Sequence, residues 1–150
     1  MVASKDISAI TKALKDLLNN DQDFEHVMVS RAEPINDDPA NCPWVGIYRR
    51  DLEFNPRTLG MTSGHRDYRG NIVLIVQASS LASGASCEDE LDAMVKNIVD
   101  SVLTDPTIRS SIEMLHEVVV SYSYDSASDD DYEAYHQSAF IQLTVEGKTA

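Results

Sequence analysis

A chain of 150 residues is too short for two independent cores, each of which would hold about seventy residues, so a single domain over 1–150 is expected. At 43% hydrophobic and 25% charged, with six Gly and five Pro, the composition is that of an ordinary globular protein and excludes a disordered, collagenous or disulfide-stapled one. Twelve basic against twenty-five acidic residues give a formal net charge of −13, which repels nucleic acid and anionic lipid and so excludes a sequence-reading DNA-binding protein.

Ser4 to about Asn20 carries Ile7, Ile10, Leu14, Leu17 and Leu18 at helical spacing, with Ser4 or Asp6 as caps. Asn19-Asn20-Asp21 ends this helix, and Val27-Met28-Val29 predicts a short strand. The breaker-rich stretch Glu33 to Pro43 is a loop. Trp44 to Phe54 alternates, with Trp44, Gly46 and Tyr48 on one face and Val45, Ile47 and Arg49 on the other, as a strand with one wetter side does. Asn55 to Asp67 is a polar connection, and Tyr68 to Ser79 contains the run Ile72-Val-Leu-Ile-Val76. These two strands are expected to form a hairpin, and the continuous apolar run places the second of them at the centre of its sheet.

Ser79 to Gly84 is a small-residue loop, and Ser86 with Asp89 resembles a capping box opening the strongest helix. Its apolar stripe is Leu91, Met94, Val95, Ile98, Val99, Val102 and Leu103. Asp105-Pro106 stops it and can start a short second helix with Ile108, Ile112 and Leu115 on its buried side. A strand from Val118 to Tyr124, an acidic turn from Asp125 to Tyr135 and a last strand from Ala139 to Val145 read as a second hairpin. The order predicts an α+β fold: an antiparallel or mixed sheet of about five strands, with two main helices and one short helix packed on it.

Few residues suggest chemistry. Ser83-Gly-Ala-Ser-Cys87 joins a strand to a helix start, where amide groups and the helix dipole can lower a thiol pKa, but no nucleophile elbow and no neighbouring His accompany it. Cys42 and Cys87 lack metal-ligand spacing and read as free, packed thiols. Asp129, Asp131 and Glu133 have part of a calcium-loop spacing, yet Ala134 and Phe140 stand where Gly and Glu are needed, so a solvated acidic tip is the better reading. Ser63-Gly-His65-Arg-Asp67 holds triad residue types too close along the chain for triad geometry, and His26, His116 and His136 have no ligand spacing. No catalytic residue, cofactor or metal is assigned.

Charge is the more informative pattern. Arg49, Arg50, Arg57, Arg66 and Arg69, with His65, fall in the first hairpin, whereas Asp129, Asp130 and Asp131 lie in the second, a polarity suited to head-to-tail pairing between copies. The basic group is a candidate tube or subunit interface and the acidic group a candidate contact. No window approaches the length of a membrane span and the N-terminus carries no signal-peptide core, so a soluble protein made in the cytoplasm is expected.

The order of elements, with Pro43-Trp44-Val45-Gly46-Ile47-Tyr48, the apolar strand Tyr68 to Ala78, and the helix ending Ile98-Val99-Asp100-Ser-Val-Leu103 before Thr104-Asp105-Pro106-Thr107-Ile108, resembles the tail-terminator family of long-tailed bacteriophages over residues 4–146. Ser110-Ser111 stand where many relatives are expected to have a Gly. The resemblance implies a structural virion protein and not an enzyme: a homo-oligomeric ring of six copies at the tail-neck junction that caps the tail tube, ends its polymerisation and joins the head-tail connector. It also implies a sheath protein as a further partner if the tail is contractile, and DNA that passes through the channel without specific binding. The alternatives are another neck ring protein, a connector or stopper, and from a different class a small cysteine enzyme using Cys87.

Overall fold

The computed structural model describes residues 7–36, 38–55, 66–105, 114–129 and 132–149. Its elements in chain order are α1 (Ile7–Asn20), a 3-10 turn (Gln22–Phe24), β1 (Met28–Arg31), a second 3-10 turn (Pro39–Asn41), β2 (Trp44–Asn55), β3 (Arg66–Ser80), α2 (Gly84–Thr104), β4 (Met114–Asp129) and β5 (Tyr132–Thr149). The strands form one five-stranded sheet in the order β1-β2-β3-β5-β4. β1 pairs parallel with β2 and every other pairing is antiparallel, which makes this a mixed-sheet α+β fold.

Strand alternation divides the sheet into two unlike faces. Val45 and Ile47 of β2, Ile72, Leu74, Val76 and Ala78 of β3, and Ala139, Ile141, Leu143 and Val145 of β5 point to one side and are buried. On that side α1 packs over β1 and β2, and α2 over β3 and β5. α1 contributes Ile10, Leu14 and Leu18, four residues apart and all but sealed from solvent, and α2 contributes Leu91, Met94, Ile98 and Val102. Each such side chain stabilises the fold by about 1.5–3 kcal/mol relative to its exposed state, so this layer carries the stability. Ser101 Oγ donates to Asp21 Oδ2 at 3.1 Å, tying the last turn of α2 to the end of α1.

The other side, the open face, receives Trp44, Gly46 and Tyr48 from β2, Val73, Ile75 and Gln77 from β3, and Ser138, Phe140 and Gln142 from β5. Because β1 and β2 are parallel, the connection 32–43 has to travel back along the strand direction before β2 can begin. It does so against the open face. Tyr48 Oη donates to the Glu33 carbonyl at 2.6 Å, Asn36 Nδ2 donates to Gln77 Oε1 at 2.9 Å, and Gln77 Nε2 returns a bond to the Asn36 carbonyl at 2.8 Å. Gln77 is buried, and so is Trp44 at 3% exposure.

The central position expected for the Ile72–Val76 run is observed, since β3 is the third of five strands and Ile75 is buried on the face away from the helices. The two expected hairpin pairings are also present, and α1 ends at Asn20 as expected. Four expectations are corrected. α2 begins at Gly84, not at Ser86: Ser83 is the N-cap, its Oγ accepting the Ser86 N–H at 3.0 Å. Leu103, placed on the buried stripe of that helix, is 47% exposed. Leu115 is not helical but lies in β4, while Pro106 to Glu113, the rest of the expected short helix, lie outside the described residues. Finally, the segment Asp125 to Tyr135 is mostly strand: β4 runs to Asp129 and β5 resumes at Tyr132, because pairing between the two strands satisfies their backbone groups without needing an apolar sequence pattern. Ser4 and Asp6, the proposed caps of α1, lie outside the described residues.

Candidate functional site

β2 and β5 run in one direction and β3 and β4 in the other, so the connection between β2 and β3 and the turn between β4 and β5 lie at opposite ends of the sheet. Pairing continues past the core at both ends. On β3 the last fully buried side chain towards the first end is Ile72, yet the ladder runs on to Arg66↔Thr149, about 20 Å further. Towards the other end burial on β5 reaches His136, and the β4–β5 ribbon continues to Asp129↔Tyr132, about 13 Å beyond it.

The first end carries the arginines. Arg49, Arg50 and Arg69 are exposed, and Arg69 sits in a row between Glu53 of β2 and Glu146 of β5. Arg50 owes its direction to a bulge: Arg49 pairs with Ile72 and Asp51 with Asn71, leaving Arg50 as the extra residue. Its guanidinium donates to Gln142 Oε1 at 2.6 Å, two strands away. Gln142 Nε2 reaches Asn71 Oδ1 at 3.4 Å, Thr144 Oγ1 donates to the same oxygen at 2.7 Å, and Asn71 Nδ2 donates to Asp51 Oδ1 at 2.6 Å. The result is a polar network on the open face that fixes Arg50 and joins β2, β3 and β5. Of the other basic candidates, Arg57, His65 and the side chain of Arg66 lie outside what the structure describes.

The second end is acidic. Asp129 closes β4, and Asp130 and Asp131 follow it outside the described residues. On the helix side of this end, Tyr124 Oη donates to Glu88 Oε2 at 3.4 Å, and the neighbouring negative charge of Glu88 raises the Tyr124 pKa. Tyr122, Tyr124 and Tyr135 are all exposed, at 48%, 64% and 48%. Sequence reasoning singled out neither these tyrosines nor the Asn71–Gln142 network. The alternation Tyr122-Ser-Tyr124 was the visible signal for the former, whereas the latter depends on a bulge that no spacing announces.

Cys87 does not have the environment of a nucleophile. Its side chain is fully buried, its thiol donates to the Ala78 carbonyl at 3.3 Å, and burial pushes its pKa up. Cys42 is likewise a free thiol, pushed up to about 11 by burial. The dipole argument for a lowered pKa therefore loses to desolvation. His26 is exposed, and His136 is buried with Nε2 unpartnered. Ser63 and His65 lie outside the described residues, among which no group of His, Cys, Asp and Glu could hold a metal ion. Among the same residues no helix is long and apolar enough to cross a membrane. Neither the protein-family profiles nor the curated protein sequences compared with this chain match it.

Proposed function

We propose that this protein is a tail-terminator-like ring subunit, which caps the end of a phage tail tube and joins it to the head-tail connector. The observation that carries this reading is the sheet with two projecting ends of different character: arginines interleaved with acidic residues at the β2–β3 end and aspartates at the β4–β5 end. A joint between two different assemblies needs two distinct docking ends on a rigid body, and a two-layer α+β core with ladders extending past it provides that form. The net charge of −13 supports a channel that does not hold DNA, since phosphate is repelled from an acidic wall. The same charge, repeated in a ring of six copies, makes assembly depend on salt.

The tube contact is assigned to the arginine-bearing end, with Arg50 held in place by Gln142. The test is polymerisation of a cognate tail-tube protein with and without this protein, scored by tube length in electron micrographs. Tubes of limited length with this protein at one end are expected. Deleting Thr58 to Gly64 is expected to abolish the limit while the circular dichroism spectrum is kept. Tubes unaffected by the intact protein overturn the reading, and binding to the connector side alone reassigns the protein to a stopper role. Native mass spectrometry across a salt series is the companion measurement, with a six-fold species expected.

A further inference from the structure

We infer that the β4 edge of one copy pairs antiparallel with the β1 edge of a second copy, so that the sheet continues from subunit to subunit. The inference rests on the ring reading and names its subunit contact.

β1 and β4 are the two outer strands of the sheet among the described residues. An outer strand offers unpaired backbone groups to other chains, and proteins that stay monomeric protect such strands with Lys, Pro, bulges or short length. β4 is 16 residues long, and its stretch Val118 to Tyr124 holds no charge, no Pro and no Gly. Its bulge lies between Leu115 and Glu117, before this stretch begins. Both outer strands also expose apolar side chains: Val119 and Tyr122 on β4 at 43% and 48%, and Met28 on β1 at 55%.

The two edges fit each other in level, direction and face. Following the registers across the sheet, Met28 shares a row with Trp44, Gln77, Ser138 and Ser123, and Arg31 shares a row with Ile47, Leu74, Ile141 and Val120. β1 runs antiparallel to β4. A rotation about an axis along the strands therefore brings β1 of the next copy beside β4 as an antiparallel neighbour, with Met28 opposite Ser123 and Arg31 opposite Val120. Faces match as well: Met28 and Ser123 belong to the open face, and Arg31 and Val120 to the helix face. Arg31 is the only charged residue of β1, whereas those of β4 are Glu117, Asp125 and Asp129. On the helix face Arg31 of the incoming copy lies opposite Val120, and Val29 lies opposite Tyr122. Pairing two β4 edges about a two-fold axis would instead bring acidic strands together. A contact between two different edges repeats with each added copy and closes into a ring when the rotation between copies divides a full turn.

The test is cysteine cross-linking in the full chain carrying Cys42→Ser, with the fully buried Cys87 left in place. Met28→Cys and Ser123→Cys are made separately and together, with melting temperatures checked against the parent, and oxidised with diamide. The double variant is expected to give a covalent ladder on denaturing gels, ending at the ring size found by native mass spectrometry. The two single variants mixed are expected to give dimers only, and each alone none. Moving the second cysteine to Ser121 is expected to weaken the ladder several-fold. Dimers from Ser123→Cys alone overturn the inference in favour of a two-fold β4–β4 contact. No cross-link in any combination overturns it too, and tube capping by the same protein would then leave the functional reading standing. A ladder from a protein that does not limit tube length keeps the edge contact and removes the capping role.

Discussion

The two faces of the sheet solve different problems. The helix face is predominantly apolar, with Leu74, Ile141 and Ile98 shut off from solvent and Gln137 among its few buried polar side chains. The open face mixes Trp44 and Ile75 with Gln77, Ser138 and Thr144, all buried, and with a network running from Arg50 to Asp51. One apolar face is enough to set register, because a slip by one residue would move every apolar side chain of a strand to the wrong side. The second face is thereby released from stability and can hold a charged side chain in a chosen place. Its polar groups are tolerable because most are paired with one another, where an unpaired buried group would be costly.

This contrast can be broken by substitution. Leu74→Ala, on the helix face of the central strand, is expected to lower the unfolding free energy by about 3–4 kcal/mol in urea titrations. Gly46→Val is next. A Cβ at Gly46 would overlap the Trp44 ring and approach the Tyr48 ring within 2.7 Å, so a cost of about 2–3 kcal/mol is expected, with a change in tryptophan fluorescence in the folded state. Gln77→Ala removes both bonds to Asn36 and is expected to cost about 1–2 kcal/mol and to speed proteolysis within 32–43. Asn71→Ala is expected to cost about 1 kcal/mol in stability yet to weaken tube capping by freeing Arg50, a split that Leu74→Ala should not show. An Asn71→Ala as destabilising as Leu74→Ala would erase the distinction between the faces. The last effect is confined to alkaline pH and concerns the thiol. Burial raises Cys42 from 9.0 to about 11, so the unfolded chain loses this proton first and stability falls as pH rises through that interval. Cys42→Ser should flatten the pH 9–11 limb of a denaturation series.

How much of this the sequence disclosed follows the same division. Helical spacing located α1 and α2, and the run Ile72–Val76 identified the central strand, because both signals come from apolar burial on the helix face. The outer ribbon was read too short, as Val118 to Tyr124 and Ala139 to Val145, since Asp125 to Asp129 and Tyr132 to Tyr135 are held by backbone pairing that leaves no hydrophobic trace. The parallel partnership of β1 and β2 was not visible either; Met28–Arg31 is four residues long, and nothing in them records the direction of a neighbour. The arginine cluster was legible as composition, but the bulge that redirects Arg50 was not, because an extra residue in a strand looks like any other.

Trp44 is the chain's single tryptophan, and it lies beneath the 32–43 connection on the face away from both helices. Its ring is 6.5 Å from that of Tyr48, with Gly46 between them. Nature has thus installed one fluorophore in one layer of a two-layer molecule. Emission reports the crossover and the open face, while far-ultraviolet dichroism is dominated by the helices on the other side. Recorded together on one sample, the two signals separate loosening of the crossover from melting of the core, without any label being added.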